Sequence, residues 1–270
     1  MIRQHKSLPP GPSSWVEIQR LTTAGTSSIT IPAGYTSIGL WIVGGGGSGA
    51  SEHFSAHNPG CGGNGGQARD FIIPHDRTAV TISVTVGGGG PQTATGTNQT
   101  GANGGASSVT INGTTYSADG GLMAPGGASS GAPTKVQYSG RGGTAWGNGW
   151  PGTGYPDPDI VGRYPDGFAS NGENGLPNPF DATDTNLYGG GGGGGFDSYR
   201  SGGSHPNDSF SYGGETGGAR GGGGPNNNAA NAGGNATFYG GGGGGGAFSS
   251  GHGYGRGGAG YQGIVIIYAM

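Results

Sequence analysis

Charge is scarce in this chain: Asp, Glu, Lys and Arg together make up 9% of its 270 residues, and the formal net charge is −3. Gripping nucleic acid or an anionic membrane through an overall field needs concentrated positive charge, so neither partner is expected. Cysteine is nearly absent as well, and with Cys61 alone there is no internal disulfide framework. No stretch approaches the roughly 18 consecutive apolar residues of a membrane-spanning helix. Met1–Pro10 is basic but lacks the apolar run of about 7–15 residues found in a secretory signal. The expectation is a soluble product made in a cytoplasm and not exported by an ordinary signal peptide. Enzyme signatures are missing too: there is no GxxxxGK phosphate loop, no HExxH and no G-x-S-x-G elbow between a strand and a helix. Glutamate occurs only at Glu17, Glu52, Glu173 and Glu215. The chain is therefore read as a non-enzyme with no catalytic residue and no cofactor.

What the chain has instead is glycine, 72 residues of it, with 17 prolines. Glycine at an ordered position costs about 0.5–1 kcal/mol relative to Ala, so a fold built from so many needs a dense compensating interaction. The low charge speaks against the alternative, a solvated disordered polymer. Two seven-glycine runs, Gly189–Gly195 and Gly240–Gly246, are each introduced by an aromatic pair or near-pair, Leu187-Tyr188 and Phe238-Tyr239. They read as one cassette used twice, an extended rod anchored at its ends. In a left-handed helix of three residues per turn, seven residues span roughly 20 Å at about 3.1 Å each. Such a helix has no internal hydrogen bonds, and buried amides need partners. Rods without side chains approach closely enough to bond to one another, and strict G-X-Y periodicity is absent, so the expected assembly is a polyglycine-II bundle and not collagen.

Four segments have strand character and none has a helical period. Residues 28–43 hold Ile29 and Ile31, a Pro32-Ala33-Gly34 turn, then Ile38, Leu40 and Ile42 on one face. Residues 69–86 break at Pro74 and continue as Val80, Ile82, Val84 and Val86. Residues 107–118 form a hairpin through Asn112-Gly113. Residues 261–270 end in Ile264-Val265-Ile266-Ile267-Tyr268, apolar on both faces and expected to be buried. A terminal strand completing a set whose other members lie in the first half implies that both ends of the chain meet in one sheet. The predicted fold is thus all-β: a small antiparallel framework, a rod-and-loop insertion over 119–260 with long loops, and one glycine-rich domain over 16–270. Residues 1–15, with Pro9, Pro10 and Pro12, form a Pro-rich tail; Leu8, Pro9, Pro10 and Trp15 are its candidate partner-attachment residues.

The stretch 144–188 stands apart, because a glycine lattice has no side-chain core to demand its aromatics. Trp146, Trp150, Tyr155, Tyr164, Phe168 and Phe180 are the candidate receptor-binding residues, since Tyr and Trp dominate binding hot spots. Framework packing is the competing reading for them. His53-x3-His57-x3-Cys61 has zinc-capable side chains, but Asn58-Pro59-Gly60 interrupts a helix and no fourth ligand is apparent; no metal is expected there. Asp157-Pro158-Asp159 with Asp166 lacks a periodic calcium-ligand pattern. Arg-Gly-Gly triplets at Arg141, Arg220 and Arg256 are too few for an RNA-binding array and are read as bordering the rods.

The ordered set Ile31-Pro32-Ala33-Gly34-Tyr35-Thr36-Ser37-Ile38, Gly44–Gly47, Gly62-Gly63-Asn64-Gly65-Gly66, Phe71-Ile72-Ile73, Val84-Thr85-Val86-Gly87-Gly88 and Gly260–Tyr268 resembles the glycine-rich domain of bacteriophage tail proteins. The resemblance covers roughly Trp15 to Met270. The rod-and-loop layout is similar to that of T-even tail-fibre tip adhesins, although no separate N-terminal attachment domain is evident. The resemblance implies a virion structural protein, a tail-fibre or tail-tip component that binds a bacterial surface protein or glycan without chemistry. It further implies contacts with other tail proteins through the N-terminal tail and a homo-oligomer such as a trimer. An architectural cement, decoration or filament subunit is the alternative; an ice-binding or matrix protein is a third, disfavoured by the lack of an export signal.

Overall fold

The computed structural model describes residues 15–51, 60–94, 99–124, 174–192, 232–246, 248–249 and 253–270. Seven strands come from the first half of the chain: β1 (Val16–Leu21), β2 (Gly25–Ile31), β3 (Ser37–Val43), β4 (Ala68–Pro74), β5 (Val80–Val86), β6 (Ser107–Ile111) and β7 (Thr114–Ala118). Short pairs follow, β8 (Leu176–Pro177) with β9 (Leu187–Tyr188) and β10 (Phe248–Ser249) with β11 (Gly253–Tyr254), and β12 (Ile264–Ala269) closes the chain. All pairings are antiparallel and no helix occurs among the described residues. The fold is all-β, as the alternation of apolar residues implies.

The strands form two four-stranded sheets, β1-β12-β3-β4 and β2-β5-β6-β7. The chain's end does pair with its beginning, since β12 lies between β1 and β3. Two details differ from expectation. The segments 28–43 and 69–86 each divide between the two sheets at Pro32-Ala33-Gly34 and after Pro74, so the framework is a sandwich. A further strand, β1, precedes them; its sequence VEIQRL alternates weakly and its outer side is exposed.

Alternation decides which face of each strand is buried. Ile38, Leu40 and Ile42 of β3 and Val265 and Ile267 of β12 face Ile82 and Val84 of β5 and Val109 of β6, giving an apolar core between the sheets. Burying each such side chain contributes about 1.5–3 kcal/mol. The opposite face of the first sheet is covered as well: Trp41, Val43, Ile264, Ile266 and Tyr268 pack under Phe180, Tyr188, Phe238 and Tyr239. That double cover explains why β12 is apolar at consecutive positions and buried throughout.

Above the sandwich, glycine tracts leave the strand ends and return. Backbone amides of 44–51 donate in a three-residue rotation. Gly44, Gly47 and Ala50 bond to the carbonyls of Gln67, Asn64 and Cys61 at 2.9–3.0 Å; Gly45, Ser48 and Ser51 bond to Gly105, Ala102 and Gln99; Gly46 and Gly49 bond to Tyr261 and Gly258. Its carbonyls accept from three more tracts: from Gly121 and Ala124, from Gly90, and from Gly243 and Gly246. Six neighbours around one strand with a period of three is polyglycine-II packing. It needs glycine because a Cβ on Gly46 would lie inside the van der Waals shell of the Gly241 carbonyl oxygen.

The lattice predicts unequal tolerance of one substitution. Gly88→Ala meets nothing within 4 Å, so it is expected to be neutral or to stabilise by about 0.4–1 kcal/mol through the unfolded chain. Gly46→Ala meets backbone that cannot move aside. Chemical denaturation should show a loss at or beyond the top of the about 1–3 kcal/mol range for overpacking. Equal midpoints for the two variants would contradict the lattice.

Candidate functional site

Several of the described rods reach a common far rim. Ser51 donates its amide to Gln99 and Gly60 donates to Gly246; Gly246 donates to Ala50, Thr93 to Gly257 and Ala124 to Ser48, all at 2.8–3.2 Å. Side-chain hydroxyls stand in for carbonyls there. Ser48 Oγ accepts from the Ala102 amide at 2.7 Å, Ser51 Oγ from Gln99 at 2.8 Å and Thr93 Oγ1 from Gly257 at 2.8 Å. Ala50, Cys61 and Ala124 form a small buried apolar contact within the rim. The described tracts that reach this rim end at Ser51, Ala124 and Gly246, while Gly192 bonds to Gly63, about one period nearer the sandwich. The two cassettes share one geometry at their start: Gly189 and Gly240 have φ of 77° and 73°, the left-handed turn that carries each aromatic residue on the sheet into a rod. The two rods are direct neighbours, with Gly242 donating to the Gly190 carbonyl at 2.8 Å.

Of the candidate receptor-binding residues, Trp146, Trp150, Tyr155, Tyr164 and Phe168 lie outside the described residues, in the segment between 124 and 174 that starts at this rim. Phe180 lies elsewhere. It is 4% exposed, and it occupies the space over Gly39, where a Cβ would come within 2.8 Å of its ring. It stacks on Tyr268 at 5.2 Å, and Trp15 meets its edge at 5.1 Å. For Phe180 the framework reading holds, and it is not available to a receptor. Trp15 is half-buried in that same contact, while Leu8, Pro9 and Pro10 lie outside the described residues. His53 and His57 also lie outside them, and Cys61 is buried in the lattice. Among the described residues no group of three or more His, Cys, Asp or Glu side chains could hold a metal. Arg256 sits in a rod with its side chain exposed, bordering the lattice; Arg141, Arg220, Asp157, Asp159 and Asp166 are outside the described residues.

The strap 174–188 that covers the first sheet is a feature the sequence pattern did not disclose. Asn178 joins it to the sheet, donating from Nδ2 to the Tyr268 hydroxyl at 2.8 Å and accepting from the Phe180 amide at 3.1 Å. Tyr188 donates its hydroxyl to Asp184 at 2.6 Å. Burial works against the Asp184 carboxylate, but hydrogen bonds from Tyr188 and Asn186 outweigh it and hold its pKa below the usual value. Burial, with the Asp184 hydrogen bond, pushes the Tyr188 phenol upward. Burial likewise pushes Tyr268 up to about 12. The Asn-x-Phe-Asp-x-x-Asp run with tyrosine four residues on was the available signal, legible only once its target face was known. Apart from the rim, an open cleft of about 360 Å³ is lined by residues 19–27, the end of β1, the start of β2 and the connection between them, two strands that belong to different sheets.

A family model described as a glycine-rich domain matches residues 22–270, spanning both the sandwich and the rods. A search among curated proteins finds no match.

The buried tyrosines at this contact, Tyr188 in the strap and Tyr268 beneath it on β12, make stability sensitive to alkali. A folded-state pKa raised to about 12 for Tyr268 against about 10 unfolded means the folded chain holds the proton longer. This contribution is intact below pH 10 and lost as pH rises through 12. Thermal unfolding across pH 9–12 should show a fall that Tyr268→Phe flattens; an unchanged slope would remove Tyr268 as its source.

Proposed function

We propose that this chain, which belongs to the glycine-rich domain family, is a non-catalytic structural component of a bacteriophage tail, at the fibre or tail tip, that binds the host cell surface. The observation that carries this reading is directional. The described rods rise from the sandwich in one direction, and the tracts ending at Ser51, Ala124 and Gly246 and starting at Gly60 hydrogen-bond to one another at one far rim. The arrangement supports a platform that separates a mechanical task, holding a rigid base, from a recognition task assigned to the connecting segments. Rigidity beneath a recognition segment reduces the ordering cost of binding.

Residues 125–173, rich in tryptophan and tyrosine, form the longest connection between described segments, and their aromatic content suits binding to a protein or glycan surface. Trp146, Trp150, Tyr155, Tyr164 and Phe168 are the proposed contact residues; Phe180 is omitted because it is buried. The attachment role of residues 1–14 remains part of the proposal. The Trp15 contact with Phe180 supports it by fixing where that segment joins the folded domain. The acting location is the virion, reached after synthesis in a host cytoplasm.

Replacing Trp146 and Trp150 together with Ala is expected to leave the folded domain and its incorporation into particles intact. Adsorption to host cells should fall by about tenfold or more, the loss of roughly one hot-spot residue. Normal adsorption by particles carrying the double variant would sink the recognition role, and failure of particles to contain the chain at all would sink the virion assignment.

A further inference from the structure

Sheet edges are open templates for pairing, and natural proteins guard them with charge, proline, bulges or cover. The sandwich has four edge strands, β1, β4, β2 and β7, and three carry a guard. In β1 the ladder is broken by an irregularity between Glu17 and Gln19, and Arg20 pairs with Glu17 at 2.8 Å. In β4 lie Arg69, Asp70 and Pro74. Along β7, only five residues long, Arg69 donates to the Ser117 carbonyl at 3.0 Å. β2 differs from all of them. Its seven residues, GTSSITI, pair with β5 in unbroken register and contain no charge and no proline. Among the described residues, Gly25–Ile31 make no backbone hydrogen bond beyond the β5 ladder.

We propose that β2 pairs with β2 of a second copy of this chain, antiparallel and related by a twofold axis at Ser28. The strand's own sequence supplies the complementarity. A twofold centred on Ser28 sets Thr26 opposite the other copy's Thr30, and Ser28 opposite its own equivalent. Threonine opposite threonine is the pairing this sheet already uses. Thr26 meets Thr85 at 3.0 Å, Thr30 meets Thr81 at 3.2 Å and Thr110 meets Thr115 at 2.9 Å, hydroxyl to hydroxyl. Every outward position of the sheet is Ser or Thr: Thr26, Ser28 and Thr30 on β2, Thr81, Ser83 and Thr85 on β5, then two each on β6 and β7. Joining two such sheets edge to edge makes one continuous eight-stranded sheet with an uninterrupted hydroxyl surface. It also pairs the backbone groups along the outer edge of β2. A C₂ interface of this kind is self-complementary and closes at two copies. The pairing is independent of the loops at the far rim and holds whether or not they bind a host.

A charge swap at the axis tests it. In the full-length chain, Ser28→Lys and Ser28→Glu each place like charges directly opposite one another. Sedimentation over a wide concentration range should show a dimer for the unaltered chain, with each variant weakened by about tenfold or more. An equimolar mixture of the two should recover the dimer, which also reports that both are folded. Directly opposed residues lie about 4.5–5.5 Å apart, within disulfide reach, so Ser28→Cys should cross-link to a dimer on mild oxidation. A chain that stays monomeric at all concentrations overturns the proposal. So does a dimer indifferent to both charged variants, or a dimer in which Ser28→Cys fails to cross-link.

Discussion

The structure depends on amide-to-amide hydrogen bonding between chains that carry no side chains. In an ordinary domain, backbone groups are satisfied within helices and sheets and side chains fill the space between them. Here the tract 44–51 does both jobs at once, donating to three neighbours and accepting from three others. A net contribution of about 0.5–1.5 kcal/mol per hydrogen bond accrues in parallel over the described tracts. It offsets the entropy that glycine loses on ordering. Density is the condition for this, because rods close enough to bond have no room for a Cβ, as Gly45, Gly46, Gly104 and Gly258 all illustrate.

A lattice of this type needs a template, because the extended left-handed helix has no bonds of its own to hold its start. The sandwich provides it. Strand ends at Val43, Val86 and Ala118 launch rods, and Ala68, Ser107 and Ile264 receive them. The first sheet sits at the centre of the molecule's packing, with one face on the second sheet and the other under the aromatic strap. Tyr188 and Tyr239 pack on the first sheet, and the left-handed glycines after them start two further rods that do not continue a strand of the main sheets. The geometry thus converts two aromatic residues into anchors equivalent to strand ends.

Substitution is accordingly constrained in different ways along one chain. Rod positions that face another rod's backbone accept only glycine, while other rod positions carry side chains such as Ala50, Cys61, Asn64 and Ala102, with serine or threonine where a hydroxyl replaces a carbonyl as acceptor. Sheet interiors accept β-branched apolar residues, and the outer face of the second sheet carries only hydroxyls.

Much of the framework could be read directly. Period-two alternation placed Ile38, Leu40 and Ile42 on one face, Asn112-Gly113 marked the hairpin, and the unbroken apolar run at Ile264–Tyr268 announced a strand covered on both sides. The aromatic pairs before the seven-glycine runs marked where rods begin, because local chemistry alone sets those features. Partnership was another matter. Nothing local says that β2 and β3 belong to different sheets, that Phe180 fills the space over Gly39, or that Gly45 bonds to Gly105 and not to another of the many glycines. A residue without a side chain carries no label for its neighbour, so the register of the rods follows from the strands that launch them. Composition therefore determined that this chain would be β-structured and glycine-packed. Only the tertiary arrangement decided which amides meet, because in a lattice of identical units position is conferred from outside.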